Sequence, residues 1–263
     1  MGVVIRQSFW GSAILYAGIA LGYLNTLLFM PTFLDIEKIG LIRLIQTNSV
    51  ALLLPLATMG MAGSLVKYYP HVRKNTTEKN SFITLQLLIV ILSNALITAI
   101  VLGFKSFFSS FFLEKSPEFA NYIHISLAIL LAQSVFEYFV AMSRSELNII
   151  VPSVIKEVLL RLFMMGLILL FGLGMISFDL TILFIAFSYL LATMLIIIYN
   201  AIKYNYKPRF NFLALEGDLV IKGFSFAGYS LLLASLTSIL TNISYILTST
   251  YLGLEETGIF TIC

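Results

Sequence analysis

The chain has 263 residues, of which 59% are hydrophobic and 11% are charged, and its formal net charge is +3. Charged residues make up about a quarter of an ordinary soluble domain, so this composition excludes an ordinary soluble protein. The small and dispersed positive charge gives no reason to expect nucleic acid as a partner. The single cysteine, Cys263, says nothing about disulfides or metals, and we expect no cofactor.

The apolar residues form blocks, and each block is long enough to cross a hydrocarbon core of roughly 30 Å, which takes about 20 helical residues. Gly, Ser and Thr are scattered through the blocks without a period-2 alternation, so the blocks predict helices. The predicted fold class is therefore all-α, a polytopic membrane protein. Seven complete blocks occupy residues 8–30, 44–66, 81–104, 121–143, 151–175, 180–202 and 224–250, and an eighth begins near 258.

The basic residues between the blocks predict the orientation. The first block has no convincing cleavage site, so we expect it to remain as the first spanning helix. Cytoplasmic loops are enriched in Lys and Arg, which predicts a cytoplasmic N-terminus. Ten basic residues then lie inside and four outside: Arg6, Lys67, Arg73, Lys74, Lys79, Arg144, Lys203, Lys207, Arg209 and Lys222 against Lys38, Arg43, Lys105 and Lys115.

One sequence segment occurs twice. Residues 34–41 (LDIEKIGL) return 218 positions later as 252–259 (LGLEETGI), and each copy follows one apolar block and opens another. Six helices separate the copies, so the first and seventh helices run in the same direction. Two such bundles are related by a pseudo-twofold axis along the membrane normal. The alternative is two unrelated hairpins that share turn chemistry.

This repeat predicts three parts of the chain. Residues 1–202 form a first six-helix transmembrane lobe. Residues 203–222 form a cytoplasmic linker with an amphipathic segment at 210–216. Residues 223–263 begin a second, parallel-related lobe with helix seven and the start of helix eight. The second copy has barely begun at Cys263, so we expect a second lobe beyond it.

Arg161 is the most costly residue in the predicted membrane. It lies nine residues after Pro152, which is roughly 14 Å along a helix and near the midplane. An Arg there costs about 2.5–3.5 kcal/mol unless it faces water or a partner. It either binds an anion such as phosphate on a cavity wall, or is neutralised by Glu157 one turn earlier or by Glu137 on the preceding helix.

Two further helices carry polar faces. On the fourth helix, Gln133 and Glu137 share a face that lipid would disfavour, and Glu137 either couples transport to a cation gradient or pairs with Arg161 or Lys156. The seventh helix carries a stripe at helical spacing. Its side chains either bond neighbouring helices or line a water-filled path: Ser235, Ser238, Asn242 and Tyr245.

The first two helices supply smaller candidates. Asn25 continues a face of small residues that includes Gly18 and Gly22, whose spacing permits close helix packing. Arg43 and Gln46 share a face at the outer end of helix two, either as the mouth of a cavity or because the Arg reaches the interface. Pro55 predicts a kink in this helix.

One enzymatic interpretation deserves a test. Asp35 and Glu37 follow the first helix on the outer side, where a membrane glycosyltransferase or polymerase could hold paired carboxylates. Glu37 recurs as Glu255 in the repeat, which favours an acidic residue at the positive end of a helix. No Walker A, HExxH or Cys/His cluster occurs, so we expect no enzyme.

Several short stretches resemble a known family. They are Arg6-Gln7-Ser8, the segments 39–44 (IGLIRL) and 65–70 (LVKYYP), and the segment 151–161 (VPSVIKEVLLR). Over its whole length the chain resembles the polysaccharide-biosynthesis flippases, the O-antigen and capsule exporters of the multidrug/oligosaccharidyl-lipid/polysaccharide exporter superfamily.

The resemblance implies twelve to fourteen helices in two lobes around a central cavity in the bacterial inner membrane. It implies that a lipid-pyrophosphate-linked oligosaccharide is moved to the periplasmic leaflet by alternating access during surface polysaccharide biosynthesis. Polysaccharide polymerase and glycosyltransferases are the expected partners beside the lipid bilayer. Arg161 is by position the candidate for the pyrophosphate, and Arg43 a weaker one. The alternative within the superfamily is a cation-coupled multidrug exporter.

Overall fold

The computed structural model describes residues 2–104 and 116–262, and these contain nine helices and no strand. Lys105, Lys115 and Cys263 lie outside the described residues. Three helices contain a π-helical segment: α1 (Gly2–Tyr23, Leu24–Phe29 as π-helix, Met30–Phe33), α2 (Ile36–Arg43, Leu44–Asn48 as π-helix, Ser49–Thr58) and α6 (Ile150–Ser153, Val154–Leu159 as π-helix, Leu160–Gly172). The others are α3 (Met61–Val72), α4 (Thr76–Gly103), α5 (Pro117–Ser145), α7 (Phe178–Lys203), α8 (Gly217–Tyr251) and α9 (Leu254–Ile262).

Six of these helices are long and apolar enough to cross a membrane, judged by length and composition. They are α1, α2, α4, α5, α7 and α8, within the part of the chain that the structure describes. The all-α, multi-pass prediction is confirmed at this level. The fifth predicted span is helix α6, which is absent from the six and which carries Lys156, Glu157 and Arg161.

The second predicted span, a single helix, is wrong. The sequence predicts one helix over 44–66 with a kink at Pro55, whereas the structure has two helices, α2 and α3. The break comes at Met59 and Gly60, which have φ of 49° and 66°. A Cβ on Gly60 would lie 2.1 Å from the Ala227 carbonyl oxygen, so α8 packs directly on the backbone here and only glycine fits.

Pro55 is accommodated inside α2 by a neighbouring helix. Proline has no backbone N–H, so the carbonyl of Ala51, four residues earlier, loses its helical partner. The Ser238 hydroxyl of α8 donates to that carbonyl at 2.5 Å. A seryl group from one helix therefore satisfies the backbone that proline frees in another, as membrane helices require.

The connection between α7 and α8 is shorter than the predicted linker. Helix α8 begins at Gly217, so residues 204–216 form the connection and 217–222 are already helical. The segment predicted to be amphipathic contains a single 3-10 turn, Phe212–Ala214, and Leu213 is 99% exposed.

The helix joints define two ends of the bundle. The joints at 34–35, 173–177 and 252–253 lie at one end, here called the acidic end because Asp35, Asp179 and Glu255 lie there. The joints at 73–75, 146–149 and 204–216 lie at the other, here called the basic end.

Each end has its own apolar cluster. The cluster towards the acidic end contains Met30, Leu41 and Ile168, and the cluster towards the basic end contains Tyr69 and Tyr138. Residues of both clusters line the cavity described next, which therefore lies between them.

Candidate functional site

A cavity of about 740 Å³ lies among α1, α2, α5, α6 and α7, with the end of α9 at its edge. Its wall combines side chains from helices that are distant in sequence. Eight residues singled out from the sequence line it together: Asn25, Arg43, Gln46, Gln133, Glu137, Lys156, Glu157 and Arg161.

All three π-helical segments of the described residues border this cavity. They contribute Asn25 from α1, Gln46 from α2 and Glu157 from α6 to its wall. A π-turn inserts one residue into a helix and re-aims the side chains around it, and such turns occur frequently at functional sites. The three segments therefore converge on this cavity, which makes it the candidate functional site.

Arg161 is held by two groups of the protein. One guanidinium nitrogen donates to Glu157 at 2.8 Å, on the same helix, and the other donates to the Gly18 carbonyl of α1. The side chain is 32% exposed. A Cβ on Gly22 would lie 2.0 Å from the Arg161 Nη1, so the small face of α1 makes room for this guanidinium.

Glu137 pairs with Lys156 across the cavity wall. The Lys156 ammonium donates to the Glu137 carboxylate, which is 18% exposed, and the two residues come from α5 and α6. Of the partners considered for Glu137, the structure selects Lys156. Both acidic residues of the cavity are thus already engaged by a cation.

Arg43 is in a different situation. Its guanidinium donates to the Thr26 hydroxyl at 2.6 Å, and its Nε is buried without a hydrogen-bond partner. No ion pair in the described residues includes it. A half-buried cation that is left without a carboxylate on a cavity wall is a group that an anion would satisfy.

The remaining polar wall includes residues that sequence reasoning missed. The Gln46 amide donates to the Tyr189 hydroxyl at 3.0 Å, which joins α2 to α7. Tyr189 lies in a mostly apolar helix and Thr26 in a mixed stretch, so neither carries a sequence signal. Asn25 is 7% exposed and its Oδ1 has no hydrogen-bond partner in the protein.

None of the four residues of the stripe on α8 lines the cavity. Ser238 bonds α2, the Asn242 amide donates within its own helix, and the Tyr245 ring packs on Phe260 of α9 at 4.8 Å between centroids. Ser235 is half-buried and is absent from the cavity wall. Of the two uses predicted for this stripe, the contacts fit helix association rather than a water-filled path.

Asp35 and Glu37 also lie apart from the cavity, at the acidic end. Asp35 occupies the N-cap position of the segment Ile36–Arg43 but makes no capping hydrogen bond, and its carboxylate pairs with Lys38 at 2.7 Å. The two acidic residues therefore lie at the start of a helix, and neither lines the central cavity.

A second cavity of about 380 Å³ continues towards the basic end. It shares Lys156 and Glu157 with the first cavity and reaches Gln7, Arg144 and Pro152. The two cavities are neighbours between α1, α5 and α6, and Lys156 and Glu157 line both of them.

The fold and the site define an all-helical protein in which membrane-length helices surround a charged internal cavity. No family model, curated protein or solved structure matches the chain.

Proposed function

We propose that this chain is part of a flippase that moves a lipid-pyrophosphate-linked oligosaccharide across the bacterial inner membrane by alternating access. Such a headgroup cannot cross hydrocarbon unaided, because stripping the water from its charges and hydroxyls costs many kcal/mol. A charged cavity inside a helical bundle lowers that barrier while the lipid tail stays in the membrane.

The observation that carries the proposal is the surplus cation of the cavity. Arg161 and Lys156 are offset by Glu157 and Glu137, whereas Arg43 has only a hydroxyl partner and a buried Nε with none. Arginine can bind a phosphate through two parallel N–H···O hydrogen bonds. A hydroxyl or a carbonyl offers one acceptor oxygen and cannot replace this geometry. We therefore rank Arg43 above Arg161 as the pyrophosphate ligand, which reverses the order expected from the sequence.

The orientation of the proposal rests on charge. The excess of Lys and Arg at the basic end supports a cytoplasmic location for that end. The second cavity then lies on the side of the leaflet in which lipid-linked sugars are built. In this arrangement the substrate arrives from the basic end and leaves at the acidic end.

The test is complementation of a strain that lacks its own flippase, with the full-length protein carrying Arg43→Gln. We expect surface polysaccharide to fall roughly tenfold or more, because a charge-assisted hydrogen bond contributes about 1.5–3 kcal/mol. Arg43→Lys keeps the positive charge but loses the pair of parallel N–H donors. Its surface polysaccharide should therefore lie between that of the wild type and that of Arg43→Gln.

Lys222→Gln is the matched control, because Lys222 is exposed and pairs with Asp218 outside the cavity. Membrane-fraction levels of all variants must be equal. If the Arg43→Gln protein is present at the wild-type level and surface polysaccharide is normal, Arg43 is not the phosphate ligand. The proposal then loses its main support.

A second function, a cation-coupled multidrug exporter, is favoured by one observation. Two carboxylates, Glu137 and Glu157, face the same cavity, and an exporter would use such acids for its coupling ion and its cationic drugs. The variant Glu137→Gln distinguishes the exporter from the flippase. An exporter loses drug resistance with this change, whereas the flippase keeps its phosphate ligand Arg43.

A further inference from the structure

A third cavity, of about 730 Å³, lies at the basic end and shares no residue with the central site. It is formed by the start of α4, the end of α5 and the segment 203–209 that follows α7. Neither the central cavity nor the proposed transport cycle gives it a role.

The wall of this cavity is tied together by hydrogen bonds. The Lys79 ammonium of α4 donates to the Tyr204 carbonyl at 2.8 Å, and the Arg209 backbone N–H donates to the Thr84 hydroxyl at 2.9 Å. The Arg209 guanidinium also donates to Thr77 at 2.7 Å. These hydrogen bonds fix the segment after α7 against α4. The cations of the segment and of α4 therefore lie around the same cavity.

The charge of this wall is strongly unbalanced. Its cations are Lys79, Lys203, Lys207 and Arg209, and none of them belongs to an ion pair within the described ranges 2–104 and 116–262. The one carboxylate of the wall, Glu146, accepts a hydrogen bond from Tyr69.

Two buried groups of the wall point to a ligand. Lys79 is only 9% exposed, although its described polar contact is a neutral carbonyl. Glu146 acts on this ammonium electrostatically, but it is the one carboxylate of a wall that carries four cations, so a further anion would offset the cost of burying Lys79. Asn80 is 3% exposed and lines the same space, and its Oδ1 has no hydrogen-bond partner in the protein.

We propose that this basic-end cavity binds a phosphate group, with Lys79 as the buried ligand and Lys207 and Arg209 as exposed ones. A phosphate adds negative charge to a wall that has four cations and one carboxylate, and its oxygens accept charge-assisted hydrogen bonds from the lysine and arginine side chains. The phosphate belongs either to an anionic phospholipid headgroup or to a free phosphate in solution. The site uses different residues from the proposed flippase function and does not depend on it.

The test measures phosphate binding in two arms with the purified full-length protein. In detergent, inorganic phosphate is titrated by calorimetry. In vesicles of phosphatidylcholine with and without phosphatidylglycerol, retention of a labelled phosphatidylglycerol is followed. We expect Lys207→Gln to weaken binding about fivefold, which is the effect of one basic residue near an anionic surface. Lys79→Gln should weaken it at least as much.

Lys222→Gln is the control, since this exposed cation is outside the cavity and already pairs with Asp218. Lys207 is exposed, so its variant tests the site even if Lys79→Gln fails to fold. Binding in the detergent arm alone assigns the site to free phosphate, and binding in the vesicle arm alone assigns it to lipid. No binding in either arm, or equal loss with Lys222→Gln and Lys207→Gln, overturns the proposal.

Discussion

Gly40 of α2 and Gly258 of α9 pack backbone against backbone at the acidic end. A Cβ on Gly40 would lie 2.1 Å from the Leu254 carbonyl oxygen and 3.0 Å from the Gly258 nitrogen, and a Cβ on Gly258 would lie 2.2 Å from the Ile36 oxygen. In the 218-residue repeat, Gly40 corresponds to Gly258 and Ile36 to Leu254. The contact is thus reciprocal, as a twofold relationship between the two copies requires.

Gly40→Val should destabilise the protein by about 1–3 kcal/mol, because the added side chain collides with the α9 backbone, which cannot move out of the way cheaply. Thermal unfolding in detergent measures this. Gly258→Val should behave alike, and the double variant should cost less than the sum, because both changes break one contact. Gly166→Val is the control, since a Cβ there meets nothing within 4 Å. Additive effects would contradict the reciprocal contact.

The face of α1 gives a prediction that separates stability from function. Gly18→Ala should loosen the packing of α1 on α6, because its Cβ would lie 2.7 Å from the Glu157 Cβ. Gly22→Ala meets only the flexible end of Arg161, so it should shift that guanidinium and impair transport with little loss of thermal stability. Gly11→Ala, with its nearest atom at 3.6 Å, is the control. Equal stability losses for the three variants would count against this assignment.

Removing one partner of the Arg161–Glu157 pair should be worse than removing both. Arg161→Gln leaves Glu157 half-buried without its cation, and we expect a loss of about 1–3 kcal/mol, below the range for fully buried pairs because the arginine is 32% exposed. The double variant Arg161→Gln/Glu157→Gln should recover part of that loss in thermal unfolding. An additive double variant would show that the pair does not interact.

The hydrogen bond from Ser238 to Ala51 should matter only because of Pro55. Ser238→Ala leaves the Ala51 carbonyl without a partner and should cost about 1 kcal/mol, within the range for bonds between membrane helices. Pro55→Ala restores an N–H to α2, so the same serine change should cost little in that background. The four melting temperatures of this cycle give the coupling directly. An unchanged Ser238→Ala effect in the Pro55→Ala protein would refute the explanation.

Much of the helical layout follows from local information. Blocks of apolar residues predict helices of membrane length because each must bury its backbone polar groups within itself. The pairing of Arg161 with Glu157 was also predictable, since residues four apart share a helical face. The break after Thr58 was not. It depends on the approach of α8 to Gly60, a contact between residues more than 160 positions apart.

The sequence by itself predicted an all-α, multi-pass chain and the charged residues that membrane burial makes costly, and it suggested that segments 34–41 and 252–259 are equivalent. These follow from composition and from spacing within one helix, which any sequence displays. Only the tertiary structure decided which charges remain unpaired. Arg43 has no carboxylate partner because the Thr26 hydroxyl faces it from α1, and Lys79 is buried because the segment after α7 covers it. Such contacts depend on how distant helices pack, and no local pattern records that.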